Sequence, residues 1–278
     1  MDKISRFTHF VIHEAGKSPA RFGYDREMPL ILRAARNDNG PIDVLDAGCG
    51  NGQYSAWFLN DRYVGVDPGL CQNEIVVSTT RRFIKGTMQE LPFADKTFDF
   101  VLCSLALEHI QDVREALTSL RRVLRPGGVL VLTTTTKYAR IIGEMQHLFW
   151  KIEDEHQGQA HHYFETKDLI DEHLASGFAT VQVRFIGGPL ELALESLYTF
   201  YTYAKMRVTG QMYQHGRDSI TVSAGTNMNQ PSVVAWTWRR VAKAILSLPK
   251  FFGNLLSWWI DRRLGVSMAK VVCIVARP

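Results

Sequence analysis

Chemistry is concentrated in the stretch Val44-Leu-Asp-Ala-Gly-Cys-Gly-Asn-Gly-Gln53, where an apolar run meets three glycines at alternate positions, Gly48, Gly50 and Gly52. Glycine at such a turn admits positive φ and lets a ligand approach the backbone closely. A second apolar run ends in Val66-Asp67, 19 residues after Gly48, and a carboxylate at that place suits the two hydroxyls of a ribose. The spacing is GxGxG, whereas a dinucleotide fold wants GxGxxG with a pyrophosphate at the helix start. Asp46 stands just before the glycines. A carboxylate there would repel a diphosphate and attract an ammonium group, so the implied ligand has a ribose and a cation. A glycine turn alone is also plain architecture of an open α/β sheet; it is Asp46 together with Asp67 that favours ligand binding.

These groups need a scaffold, and the hydropathy pattern supplies one. Short apolar runs occur at 42–46, 63–67, 82–85, 98–103 and 129–134, separated by helix-like stretches at 53–59, 70–80, 111–124 and 137–152. Near-continuous apolar strands between helices indicate a parallel sheet covered on both faces, a doubly wound, Rossmann-like α/β fold. A helix at 166–176 and strands at 180–187 and 270–276 extend it to seven strands. Residues 1–40 read as helical approach segments ending at Asn39-Gly40. The remaining residues, 190–265, form a helical and aromatic insertion before the last strand. In it, 190–208 is rich in tyrosine and phenylalanine, 209–232 is polar and reads as a loop or lid, and 233–263 is helical, with Pro249 expected to divide it. The organisation is therefore 1–40, a core over 41–189, an insertion over 190–265, and a last core strand over 266–278.

The 278 residues are 46% hydrophobic and 22% charged, which excludes collagen-like, disordered and disulfide-scaffold classes. Cys49, Cys71, Cys103 and Cys273 have no CxxC spacing and read as reduced thiols of a cytosolic protein. There is no secretory leader pattern and no uninterrupted apolar run of membrane-spanning length. The net charge of +4 divides into +7 over residues 233–278 and −3 over the other 232. A basic end on a mildly acidic body suits an anionic surface or ligand. Because the cations are mixed with apolar residues, nucleic acid is not an expected partner.

The motifs DAGCGNG, VGVDP, Met88-Gln-Glu-Leu-Pro-Phe93, FDFVLCSLALEHI and LRRVLRPGGVLVLTT resemble, in order and spacing, the class I S-adenosylmethionine-dependent methyltransferases. The likeness covers roughly residues 40–190 and the last strand. It implies S-adenosyl-L-methionine as cofactor. Asp46, with Gly48, Cys49 and Gly50 of the loop, would hold the methionine portion, Asp67 the ribose hydroxyls, and Pro68 and Met88 the two faces of the adenine. Relatives commonly place an Asp on the adenine amino group where this chain has Thr87, which leaves Thr87 or Gln89 to that task. Ser104 and Leu105 would lie near the sulfonium. Strand 98–103 leads into Ser-Leu-Ala and not into an Asn/Asp-Pro-Pro-Tyr-like turn, which argues against acceptors such as DNA bases or glutamine amides.

Methyl transfer from a sulfonium gains much from positioning alone; a hydroxyl or activated-carbon acceptor also needs a base. The candidates are His109, His161 and His162, with Tyr24 and Tyr163 behind them. The bland alternatives are a pocket-wall residue for His109 and a solvated loop for His161 and His162. Glu153, Asp154, Glu155 and His156 match no zinc or Glu-x-x-His spacing, so no metal is expected.

Over 236–261, Trp238, Val241, Ile245, Leu248, Phe252, Leu255, Leu256 and Trp259 recur at helical spacing. Arg239, Lys243, Ser247, Lys250, Asn254, Ser257 and Asp261 form the opposite stripe. Two readings stand: a cap with a solvated basic face, or an interfacial element lying on an anionic membrane through 236–263. The second matches a small or lipid-linked acceptor (saccharide, polyprenyl or quinone-like) and a cytoplasmic protein peripheral to the inner face of a membrane. The first matches a soluble small-molecule methyltransferase whose insertion is a lid or homodimer interface. A cofactor-binding partner subunit without activity is a further alternative.

Overall fold

The computed structural model describes residues 19–36, 40–140, 144, 163–209, 238–264 and 269–278. Helix α1 (Pro19–Ala35) precedes β1 (Asp43–Ala47), β2 (Arg62–Asp67), β3 (Glu74–Ser78), β4 (Arg81–Lys85) and β5 (Phe98–Ser104). Then follow α2 (Val113–Val123), β6 (Leu124–Thr135), α3 (Thr166–Ala175), β7 (Ala179–Ile186), α4 (Pro189–Thr209), α5 (Trp238–Leu264) and β8 (Val271–Arg277).

The strands form one sheet in the order β3-β4-β2-β1-β5-β6-β8-β7. From β4 to β6 all neighbours are parallel, whereas β3 pairs antiparallel with β4, and β8 lies antiparallel between β6 and β7. Chain order reverses direction at β1, between β2 on one side and β5 on the other, so the crevice beyond the carboxyl ends of β1 and β5 is the place where such sheets bind ligands.

Alternating side chains feed two apolar layers. Val101 and Cys103 of β5 and Leu130 and Leu132 of β6 meet Leu117 and Leu120 of α2 and Leu169 of α3. Phe100, Leu102, Val129 and Val131 point the other way, to Met28, Ile31 and Leu32 of α1. Asp112 caps α2 by accepting from the Glu115 N–H at 2.9 Å, and the bidentate pair of Arg36 with buried Asp61, both contacts 2.8 Å, fixes the exit of α1 beside β2. Helices α1, α4 and α5 pack on one another.

Three expectations change. The eighth strand, β3, replaces the helix expected over 70–80: Ile75, Val76 and Val77 are β-branched, and Thr80 closes a hairpin with Ser78, giving a short edge strand. The helix expected at 53–59 is a 3₁₀ turn over Gln53–Trp57. Pro249 does not divide α5, which runs through it. A proline removes one hydrogen bond and bends a helix, but it does not end one that is anchored further along, as α5 is where Phe251 meets Phe22 of α1 and Trp258 bonds Glu27.

Candidate active site

The glycine turn folds back on β2: the amides of Gly48 and Cys49 both donate to Val66 O, at 2.8 and 3.1 Å. Gly48 (φ 79°) and Gly50 (φ 53°) are left-handed, but they serve different ends. A Cβ on Gly48 would stand 2.3 Å from the Ala106 methyl, whereas one on Gly50 would meet nothing within 4 Å. Gly48 is thus demanded by packing, and Gly50 leaves its outer side open.

Asp67 is held as a fixed fork. Its Oδ2 accepts from the Gly50 amide and its Oδ1 from the Gly69 amide, each at 2.8 Å. Each oxygen keeps a lone pair for a further donor. Asp46 is fully buried; Tyr63 O–H donates to its Oδ2, while Oδ1 has no hydrogen-bond partner among the described residues. Burial pushes the Asp46 carboxyl up to about 7, with the Asp67 charge adding to the rise and Tyr63 opposing it. Burial likewise holds the Cys49 thiol protonated.

On the β5 side, Ser104 is buried, and its Oγ lies 2.5 Å from the Tyr24 hydroxyl, which also meets Thr133 Oγ1 at 2.8 Å. Helix α1 therefore reaches over the sheet edge and pins the ends of β5 and β6. Burial keeps the Tyr24 phenol protonated. Leu105 takes φ 50°, a conformation costing on the order of 1–3 kcal/mol for a residue with a side chain; its amide donates to Thr133 O at 2.9 Å.

Met88 is buried, with its Cε 3.6 Å from the Cβ position of Gly48 and its sulfur accepting from Cys103 Sγ at 3.8 Å, while Pro68 and Thr87 are exposed. Gln89 lines a cavity beside Asp112, Arg114 and Ser119, with its Oε1 unpartnered among the described residues. His109 is exposed on the 3₁₀ turn Leu107–His109. His161, His162 and the acidic run 153–156 lie outside the described residues, and Tyr163 is half-buried. No group of three or more His, Cys, Asp or Glu placed to hold a metal occurs among the described residues. All four cysteines are free.

Glu108 is a functional candidate that motif spacing does not reveal. This carboxyl is buried, accepts from Thr134 Oγ1 at 2.9 Å, and is raised by burial to about 7. The signal for it in the sequence is an acid that closes the apolar stretch Leu105-Ala-Leu107 after strand 98–104. A second buried carboxyl, Glu191, has Oε2 without a hydrogen-bond partner among the described residues. It lines a cavity of about 270 Å³ between β7, α1 and α5 with Glu27, Trp258 and Asp261.

A parallel sheet with a glycine turn at its switch point and an anchored acid at the next strand end defines a Rossmann-like nucleoside-binding domain. Residues 45–132 match the family described as "Methyltransferase domain". The chain is 33% identical over 113 residues to the malonyl-[acyl-carrier protein] O-methyltransferase of Pseudescherichia vulneris, 39% of this chain and 45% of that one. It is 32% identical over 131 residues to the ubiquinone biosynthesis O-methyltransferase of Rhizobium etli, 44% and 49% respectively. The chain spans about half the length of these curated relatives. A S-adenosylmethionine-dependent methyltransferase from Mesorhizobium loti shares the fold, with TM-score 0.50 and 15% identity over 89% of this chain and 96% of that one. Residues 45–132 thus match a methyltransferase domain set in a methyltransferase-like fold, and that family and fold imply S-adenosylmethionine as the cofactor.

The residues fit this cofactor. The Asp67 fork retains lone pairs for ribose hydroxyls, the orphaned Asp46 Oδ1 calls for a donor or cation, and the space over Gly50 admits close approach. Gln89, by contrast, lines the cavity beside α2, while Thr87 is exposed.

Proposed function

We propose that the whole protein is a S-adenosylmethionine-dependent methyltransferase acting on an oxygen of an amphiphilic or lipid-linked small molecule: a saccharide, a polyprenyl compound or a quinone-like ring. The activity rests on one observation, the Asp67 fork anchored by the Gly50 and Gly69 amides at the switch point, beside the orphaned Asp46 oxygen. The oxygen acceptor is supported by the two relatives, both O-methyltransferases, one of them in ubiquinone biosynthesis.

The cofactor supplies an electrophilic methyl group; the chain supplies position, dryness and a proton acceptor. Tyr24, Ser104 and Thr133 tie the ends of β5 and β6 together at the crevice, and would hold that wall fixed for a bound cofactor and acceptor. The acceptor hydroxyl gives its proton to Glu108, which Thr134 orients and burial tunes to near-neutral pH. A cytoplasmic position peripheral to a membrane accords with an acceptor of this kind, and no described helix is long and apolar enough to cross one.

The test is methyl transfer from labelled cofactor to a lipid extract and, separately, to an aqueous metabolite extract. Label in organic-phase products is expected. Label confined to water-soluble products would refute the amphiphilic acceptor, and failure to bind S-adenosylhomocysteine would refute the methyltransferase itself.

A further inference from the structure

Helix α5 sits in the protein with its polar stripe inward. Asn254, Ser257 and Asp261, which the sequence reading placed on a solvated face, are buried. Asp261 explains the choice: its carboxylate accepts from the amides of Leu190 and Glu191, at 3.3 and 2.7 Å, and so caps the start of α4. Trp258 and Arg262 reach Glu27 of α1 from the same side, at 2.9 and 3.4 Å. With the polar residues committed to the body, the apolar residues half a helical turn away face outward. Phe252, Leu256 and Trp259, at i, i+4 and i+7, are 50–57% exposed.

Helix α4 continues this face. It runs antiparallel to α5, because Asp261 meets its first residues and Lys250 stacks on Tyr198, 4.1 Å from the ring centre. Leu197, Phe200 and Tyr201 of α4, at i, i+3 and i+4, are 55–64% exposed. Such an assembly of large apolar side chains exceeds the scattered exposure normal for a soluble surface.

Charge selects the occupant. Of the described cations of α5, Lys250 is stacked on Tyr198 and Arg262 is drawn to Glu27, while exposed Arg263 stands with the outward residues; the one acid, Asp261, is buried as the cap of α4. Arg263 lies 5.1 Å from the Trp259 ring centre, a cation above an exposed aromatic plane. A layer with an apolar interior and anionic headgroups satisfies both parts of the face.

We infer that the outward face of α4 and α5 is the surface by which this protein lies on an anionic phospholipid bilayer. The inference goes beyond the proposed reaction and does not depend on it, since a membrane-docked enzyme could act on any acceptor.

The experiment is co-sedimentation of the full chain with phosphatidylglycerol/phosphatidylcholine vesicles, with pure phosphatidylcholine vesicles, and without lipid, at low and at raised salt. Preferential binding to the anionic vesicles, weakened by salt, is expected. Phe252→Ser/Leu256→Ser/Trp259→Ser should reduce partitioning at least tenfold, and Leu197→Ser/Phe200→Ser should act in the same direction from the other helix. Arg263→Gln should cost about fivefold. All these side chains are exposed, so thermal unfolding and S-adenosylhomocysteine affinity should stay as in the parent, which separates this result from failure of the methyltransferase reading. Absence of vesicle binding, equal binding to neutral vesicles, or unchanged binding by both apolar variants would overturn the inference. So would a dimer without lipid that the same substitutions dissolve.

Discussion

Cofactor binding should be coupled to a proton through Asp46. Fully buried beneath the glycine turn, this carboxyl titrates near 7, and the chargeable oxygen left without a partner is the one an ammonium would satisfy. If the ligand favours the carboxylate, affinity follows the carboxylate fraction, about one in eleven at pH 6 and ten in eleven at pH 8. S-adenosylhomocysteine should therefore bind about tenfold tighter at pH 8 than at pH 6, releasing about 0.9 proton per site at pH 6. Calorimetric titration in two buffers of different ionisation enthalpy reads both quantities. Asp46→Asn should bind weakly and without pH dependence, because no charge remains to be generated. The unliganded protein shows the mirror effect. A carboxyl raised from 3.8 to about 7 favours the folded state below pH 4 and loses that contribution as pH rises through 7, to the extent of about 4 kcal/mol. Equal affinity at the two pH values, with no proton released, would refute the assigned role of Asp46.

The two left-handed glycines should separate in mutagenesis. Gly48→Ala collides with the Ala106 methyl and should unfold the protein readily. Gly50→Ala has open space and only the left-handed penalty of about 1 kcal/mol, so it should fold and lose S-adenosylhomocysteine binding; a folded variant with parent affinity would show that the ligand does not approach there. Glu108→Gln should lower turnover by roughly 10²–10⁴ and abolish an acidic limb near pH 7 in the rate profile, with cofactor affinity unchanged. Persistence of that limb would assign the proton to another group.

What the sequence discloses depends on the range of the interaction. The turn at Gly48–Gly52 and the acid at the end of β2 are local patterns with local causes, and both stand where spacing put them. The strands of the core are legible for the same reason, being short apolar runs between helices. The face of α5 is not, because what buries Asn254, Ser257 and Asp261 is α4 and α1, tens to hundreds of residues away. A hydropathy stripe tells that a helix has two faces and not which one its neighbours take. Glu108 escaped for a related reason: a lone acid has no recognisable spacing, and its burial and its Thr134 partner exist only once β5 and β6 lie side by side.

The insertion of β8 between β6 and β7 bears on how the chain matures during synthesis. Strands β2, β4, β5 and β6 can each pair against a strand already made, and β3 waits only for β4, which follows it directly. Strand β7 cannot, because its described ladder partner is residues 271–277, translated after it and after all of α4 and α5. Until then β6 keeps an open edge and α4 and α5 have no finished sheet to settle beside, a nascent state with exposed strand edge and apolar helix together, the kind that chaperones capture. Emergence of β8 would then close the sheet in a single late step.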